Sequence, residues 1–138
     1  MRMTQLIAEA TAHGNACSRD PSTKVGGILL VGRDGRRIYG HNSFVGLEDP
    51  ATATREQRYE DVVHAEEVAL LQAGKEAQGA TYVGSHEPCG RCYRRLVHAG
   101  VKAIIFPPTS ADRRLRWDCI GGRAVAEAAG VAVMEVTE

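Results

Sequence analysis

Two short stretches constrain this chain more than any others, because whatever fold it adopts must bring them to one point. His64-Ala65-Glu66 supplies an imidazole and a carboxylate two residues apart. Pro88-Cys89-Gly90-Arg91-Cys92 supplies two thiols across a two-residue gap. A zinc ion with three protein ligands and one open position is built for catalysis, and one His with two Cys is an established ligand set. His64, Cys89 and Cys92 are read as that set, and Glu66 is left over to move protons beside the metal. Each half alone is a weak signal, since Cys-x-x-Cys also marks redox pairs and structural zinc sites. The competing reading is a closed structural knot that recruits a fourth ligand from Cys17, His86 or Cys119. That reading gives Glu66 no role.

Composition narrows the partners. The chain has 138 residues, the size of one domain, and residues 1–138 are read as a single unit. Seventeen basic residues balance seventeen acidic ones, for a formal net charge of zero. A polynucleotide-binding surface normally carries a basic excess, so the balance points to a nucleotide- or nucleoside-sized ligand held by a few placed cations. Two of the four cysteines are assigned to the metal, and Cys17 and Cys119 are read as free buried thiols. A reduced, cytoplasmic setting fits. Met1 to His13 lacks a signal-peptide hydrophobic core, and no apolar run reaches membrane-spanning length.

Along the chain, Thr4 to Ala16 shows a short helical apolar face from Leu6, Ile7 and Ala10, with an end at Gly14-Asn15 or at Cys17. Val25 to Val31 is almost continuously apolar, as a strand buried on both faces would be. Its paired Gly26-Gly27 marks either a bulge or the close approach of a ligand or another backbone. Gly32-Arg33-Asp34-Gly35 is a hairpin loop that returns the chain into a strand from Arg37 to His41. Asn42 to Tyr59 reads as a long polar loop facing the substrate. Val62 to Gln72 is a helix carrying His64 and Glu66 at its start. Ala80 to Ser85 is a strand, Cys89 to His98 a helix ended by Gly100, and Val101 to Phe106 a strand stopped by Pro107-Pro108. That strand–helix–strand order demands parallel pairing. Thiolates at a helix N-terminus meet its positive dipole end. Ser110 to Trp117 reads as a basic loop, Ile120 to Ala129 as a last helix and Val131 to Val136 as a fifth strand. The expected fold is α/β, a three-layer α/β/α sandwich around a five-stranded mixed sheet.

His-x-Glu followed by Pro-Cys-x-x-Cys is the signature of zinc-dependent nucleobase deaminases. The chain resembles the cytidine deaminase-like superfamily and, within it, the deoxycytidylate (dCMP) deaminase group. Besides the two metal stretches, Ser18-Arg19-Asp20-Pro21-Ser22-Thr23-Lys24-Val25-Gly26, Gly40-His41-Asn42-Ser43-Phe44 and Ala99-Gly100-Val101-Lys102 carry the likeness. It spans residues 17 to 107. The resemblance implies a Zn2+ cofactor on His64, Cys89 and Cys92, and Glu66 as proton shuttle. It places Asn42 against the nucleoside, Val25 and Gly26 along the pocket, and Ser85, His86 and Glu87 beside the base. It also implies a homo-oligomer.

Three positions differ from the common pattern. Val68 stands where Asn is usual, Gly40-His41-Asn42-Ser43 replaces Gly-Tyr-Asn-Gly, and Glu87 is more familiar from relatives acting on tRNA adenosine, guanine or riboflavin precursors. The expected activity is hydrolytic deamination of a cytosine nucleotide, dCMP to dUMP plus ammonia. The alternatives are deamination of another base or nucleoside, and a zinc-stabilised binding module without turnover. Lys24, Arg55, Arg58, Lys75, Arg113, Arg114 and Arg116 are the candidates for holding a phosphate, and Phe44 and Trp117 for stacking.

Overall fold

The computed structural model describes residues 2–137. Helix α1 (Met3–Cys17) leads into an antiparallel hairpin of β1 (Gly26–Val31) and β2 (Arg36–His41). Two helices follow, α2 (Arg55–Asp61) and α3 (Ala65–Ala73), then a 3-10 turn at Gly74–Ala77. The rest alternates: β3 (Thr81–Gly84), α4 (Gly90–Ala99), β4 (Ala103–Phe106), α5 (Ala111–Arg116), α6 (Cys119–Ala128) and β5 (Ala132–Glu135). The strand order in the single sheet is β2-β1-β3-β4-β5. β1 pairs antiparallel with both β2 and β3, while β3, β4 and β5 run parallel. This is the expected five-stranded mixed sheet of an α/β fold, with the parallel pairing required by the helix between β3 and β4.

The layers follow from strand alternation. Leu29 and Val31 of β1 join the larger core with Ala69, Tyr93, Leu96, Ile104 and Phe106, between the sheet and α3, α4 and α6. On the opposite face Leu6 of α1 meets Val83, Ile105 and Leu30. The continuous apolar run of β1 is therefore covered on both sides. One face carries α3, α4 and α6, and the other carries α1.

Two glycines set how closely helices approach the sheet. Gly26 makes no bulge, because β1 and β2 stay in unbroken register from Gly26↔His41 to Val31↔Arg36. A Cβ there would lie 1.9 Å from the Ala10 carbonyl oxygen and 2.6 Å from the Gly14 nitrogen. The glycine lets the backbone of α1 rest on the strand, so of the alternatives at this position the approach of another backbone holds. Gly40 does the same for α3: a Cβ would lie 2.2 Å from Ala65 O and 2.8 Å from Ala69 N. The first turn of α3 is thereby pressed onto β2.

Three expected boundaries shift. The loop expected from Asn42 to Tyr59 gives way at Arg55 to α2, which runs on to Asp61, and the basic loop from Ser110 to Trp117 contains α5. Val62 and Val63 precede α3 rather than opening it, and Val63 pairs instead with Ser43 in an isolated antiparallel bridge. Neither α2 nor α5 has a buried residue, so neither shows the apolar stripe that identifies a helix in sequence. Gly40→Ala should lower stability by about 1–3 kcal/mol, because backbone cannot yield as a side chain can. Thermal unfolding checks this, with Val45→Ala, on a residue 86% exposed, as the control expected to change little.

Candidate active site

The ends of two helices meet where the sequence analysis expects a metal. His64 is the residue immediately before α3 and Cys89 the one immediately before α4, while Cys92 lies in the first turn of α4. His64 Nδ1 is 3.3 Å from Cys92 Sγ and 3.6 Å from Cys89 Sγ. All three donor atoms lie within 4.8 Å of one another. A tetrahedral zinc with ordinary Zn–N and Zn–S bonds separates such ligands by about 3.6 Å, so the group fits the ion without rearrangement.

The electrostatics of the cluster favour a cation. Cys89 is held well below the usual thiol range, first by the hydrogen bond from the Cys92 thiol, and further by His64 and the Cys92 backbone N–H. Cys92 is pushed up by that bond and by its burial. Two adjacent sulfurs cannot both ionise unaided, and a divalent ion is what permits it. His64 is raised, chiefly by its bond to Cys89.

Glu66 sits two residues on and is buried, 4% exposed. Burial pushes its carboxyl up to about 7, against the opposing pull of His64. It lines a cavity of about 530 Å³ together with His64, Cys89, Asn42 and Val25. That volume is in the range of small-molecule sites. The exposed side of the cavity, its mouth, is lined by Ser22 and Thr23, by Arg55 and Tyr59 of α2 and by Arg116 of α5, with Arg113 and Trp117 half-buried beside them. The Tyr59 and Trp117 rings meet edge-on at 6.2 Å, and the Arg55 guanidinium lies 5.3 Å from the Tyr59 ring centre.

Residues 2–107 match the model of the cytidine and deoxycytidylate deaminase zinc-binding region. The chain belongs to this deaminase family. As a member it is a zinc-dependent hydrolytic deaminase. An uncharacterised deaminase of Aliivibrio fischeri, encoded in the luxG 3′ region, is 33% identical over 103 residues, covering 72% of this chain and 69% of the relative. The dCMP deaminase of cyanophage S-TIM5, solved with dCMP and dUMP, superposes with a TM-score of 0.72 at 22% identity, over 96% of this chain and 95% of that one. That likeness concerns the fold. RibD of Acinetobacter baumannii gives a TM-score of 0.60 at 29% identity, over 96% of this chain but 33% of that one.

Within the deaminase, the expected site residues separate into two groups. His64, Glu66, Cys89, Asn42, Val25 and Glu87 line the cavity. Cys92 is fully buried at the metal cluster, and Gly26, Ser85 and His86 are outside the lining. Gly26 N donates to Ser85 Oγ at 2.9 Å, and Ser85 Oγ is 2.8 Å from His86 Nδ1. Burial, with Arg113 nearby, brings His86 down to about 4, so its ring is neutral near pH 7.

Several polar side chains have structural engagements that sequence leaves open. The Asn42 amide accepts from Val25 N at 3.0 Å and donates to Thr23 O at 2.9 Å, holding the 20–25 turn in place. Glu87 is buried and accepts from Tyr93 Oη at 2.5 Å and Arg114 Nε at 3.3 Å. Lys24 donates to Ser18 O, Arg58 to Pro50 O and Ala53 O, and Lys75 sits on the 3-10 turn outside the cavity lining. Among the cavity-lining basic side chains, Arg55 donates to Tyr59 Oη at 3.0 Å and Arg116 pairs with Asp112 at 3.4 Å, both exposed, while Arg113 Nε has no hydrogen-bond partner among the described residues; Arg114, outside the lining, serves Glu87 and Glu135. Phe44 is buried and outside the lining, whereas Trp117 lines it. Cys17 is exposed, not buried as expected, and Cys119 is buried.

Glu67 is a residue that sequence reading passes over. Its carboxylate accepts from the His64 backbone N–H at 3.0 Å and pairs with Arg95 of α4 at 3.3 Å. It thus ties the His64 main chain to the helix bearing Cys92. Outer-shell groups of this kind are worth about 10–100-fold in metal affinity. Glu67→Ala should weaken zinc binding by about tenfold in competition with a chromophoric chelator, with the fold retained by circular dichroism.

Proposed function

We propose that this deaminase converts dCMP to dUMP and ammonia, with His64, Cys89 and Cys92 holding zinc and Glu66 moving the protons. One observation carries the substrate reading: the cationic side chains Arg55, Arg113 and Arg116 line the same cavity as His64, Cys89 and the buried Glu66. Arg113 has the sharpest signal, because its Nε is buried with no hydrogen-bond partner among the described residues. A buried donor without a partner calls for a ligand or water. A phosphate at the mouth would satisfy it and leave the base pointing to Glu66. Of the other carboxylates in the lining, Glu87 is paired with Arg114 and bonded by Tyr93, and Asp20 accepts from Ser22 N and Thr23 N.

Zinc, when bound, supplies Lewis acidity that brings the pKa of water from about 15.7 to about 7. Glu66 takes a proton from the attacking water and gives it to the ring nitrogen next to the amino-bearing carbon. It then delivers the water's second proton to the departing amine, so that water and the amino base become the oxo base and ammonia. A carboxyl with a pKa near the working pH suits both halves of this task. Asn42 keeps the 20–25 turn against the cavity, and Trp117 and Tyr59 offer ring faces at the mouth. The homo-oligomer belongs to the same proposal: Leu71 is exposed beside a groove between α3 and α4 lined by Leu70, Arg95 and His98.

Ammonia release measured over dCMP, dCTP, cytidine, deoxycytidine, guanine and adenosine tests the substrate. dCMP should give the highest kcat/KM, and a higher value for guanine or adenosine contradicts the reading. Arg113→Ala should raise KM for dCMP about 10–100-fold, the worth of a charge-assisted hydrogen bond, while leaving deoxycytidine turnover within a few-fold. Glu66→Gln should keep zinc and fold yet lose about 10²–10⁴-fold or more in kcat. Activity of that variant within tenfold of the parent removes Glu66 from the proposed role.

A further inference from the structure

A second group of potential metal-ligating side chains, His13, Cys17 and His41, lies at the C-terminal end of α1, outside the deaminase cavity. His13 and Cys17 are four residues apart in the last turns of α1, and so share one face of the helix. His41 is the last residue of β2. Strand alternation sends Arg37, Tyr39 and His41 to the same side, the one covered by α1, and Glu9 of α1 meets both Arg37 and Tyr39 there. The three potential ligands therefore come from two elements already locked together by packing.

We propose that His13, Cys17 and His41 form a second metal site for a borderline or soft transition ion, zinc or copper. His13 Nε2 is 3.4 Å from His41 Nδ1, close to the roughly 3.3 Å between two nitrogens on a tetrahedral zinc. Cys17 Sγ is 3.7 Å from His13 Nδ1, and one donor atom from each residue falls within a 4.8 Å span. One ion can use a single nitrogen of His13, so the donor separations, all within that span, need to close by at most about 1 Å to the tetrahedral spacing. The exposed Cys17 side chain can make that change by rotation about χ1. The His13 ring is steadied from the other side by Tyr39, 4.8 Å away centre to centre.

Ligand chemistry sets the metal class. Two imidazoles and a thiolate suit zinc, copper, nickel and cobalt, and exclude magnesium and calcium, which want oxygen. Three ligands leave a position for water or for a further thiol. An ion here would fasten the C-terminal end of α1 to the edge strand. Ser18 to Val25 follow directly, and Asp20, Ser22, Thr23 and Val25 line the deaminase cavity. The site would brace the wall of the active site without touching the substrate.

Cobalt titration of chelator-stripped protein provides the test. The parent should take up two equivalents, both with thiolate-to-cobalt charge-transfer absorption. Cys17→Ser and His41→Ala should each take up one, and each should keep deaminase activity when reloaded with a single equivalent of zinc. In the parent, excess zinc should slow iodoacetamide labelling of Cys17 at least tenfold. Uptake of one equivalent by the parent overturns the proposal. So does uptake of two that is unaffected by Cys17→Ser. Since Cys89, Cys92 and turnover are read separately, failure here leaves the deaminase assignment untouched.

Discussion

The structure depends on the meeting of two helix starts. α3 and α4 begin immediately after His64 and Cys89, and their starts meet at one small volume where an imidazole and two sulfurs converge. Each start is fixed from outside the cluster. Gly40 admits the α3 backbone onto β2, Glu67 pins the His64 main chain, and the Gly90 N–H at the head of α4 is held by Trp117 O at 2.8 Å. Removal of any of these leaves the ligands present and the geometry loose. Ligand sets of this kind work only when their supports are as well placed as the donors themselves.

From that point outward the cavity is lined by two kinds of element. Asn42, Glu66 and Glu87 are buried, and burial pushes the Glu66 carboxyl up to about 7. Asn42 and Glu87 are bonded to partners of their own. Arg55 and Tyr59 come from α2, Arg113 and Arg116 from α5, and both are short helices without buried residues. Under the proposed function, substrate choice would rest on this part of the fold, the least restrained by the core.

That division also explains what could be read from sequence. The buried strand β1, the parallel β3–α4–β4 unit and the metal stretches are legible, because each depends on a local pattern: an apolar run, a strand–helix–strand order, a ligand spacing. α2 and α5 were not legible as helices from hydrophobicity, since they have no apolar face. Their caps were the available signal. Thr54 and Gln57 form a reciprocal capping box, and the Ser110 side chain accepts from Arg113 N. The partners of Glu87 were out of reach for another reason. Arg113 and Arg114 are neighbours in sequence, yet one lines the cavity with an unpartnered Nε and the other neutralises Glu87. Only the direction of each side chain separates them. Cys17 likewise reads as an ordinary core thiol until β2 brings His41 beside it.

Anomalous diffraction at the zinc edge, from crystals of the purified deaminase, probes the centre of this account most directly. The account predicts an ion within about 2.0–2.3 Å of His64 Nδ1, Cys89 Sγ and Cys92 Sγ, with the Glu66 carboxylate beside it and unbound to it. A fourth protein ligand closing that ion, or no anomalous peak at these three residues, would contradict it.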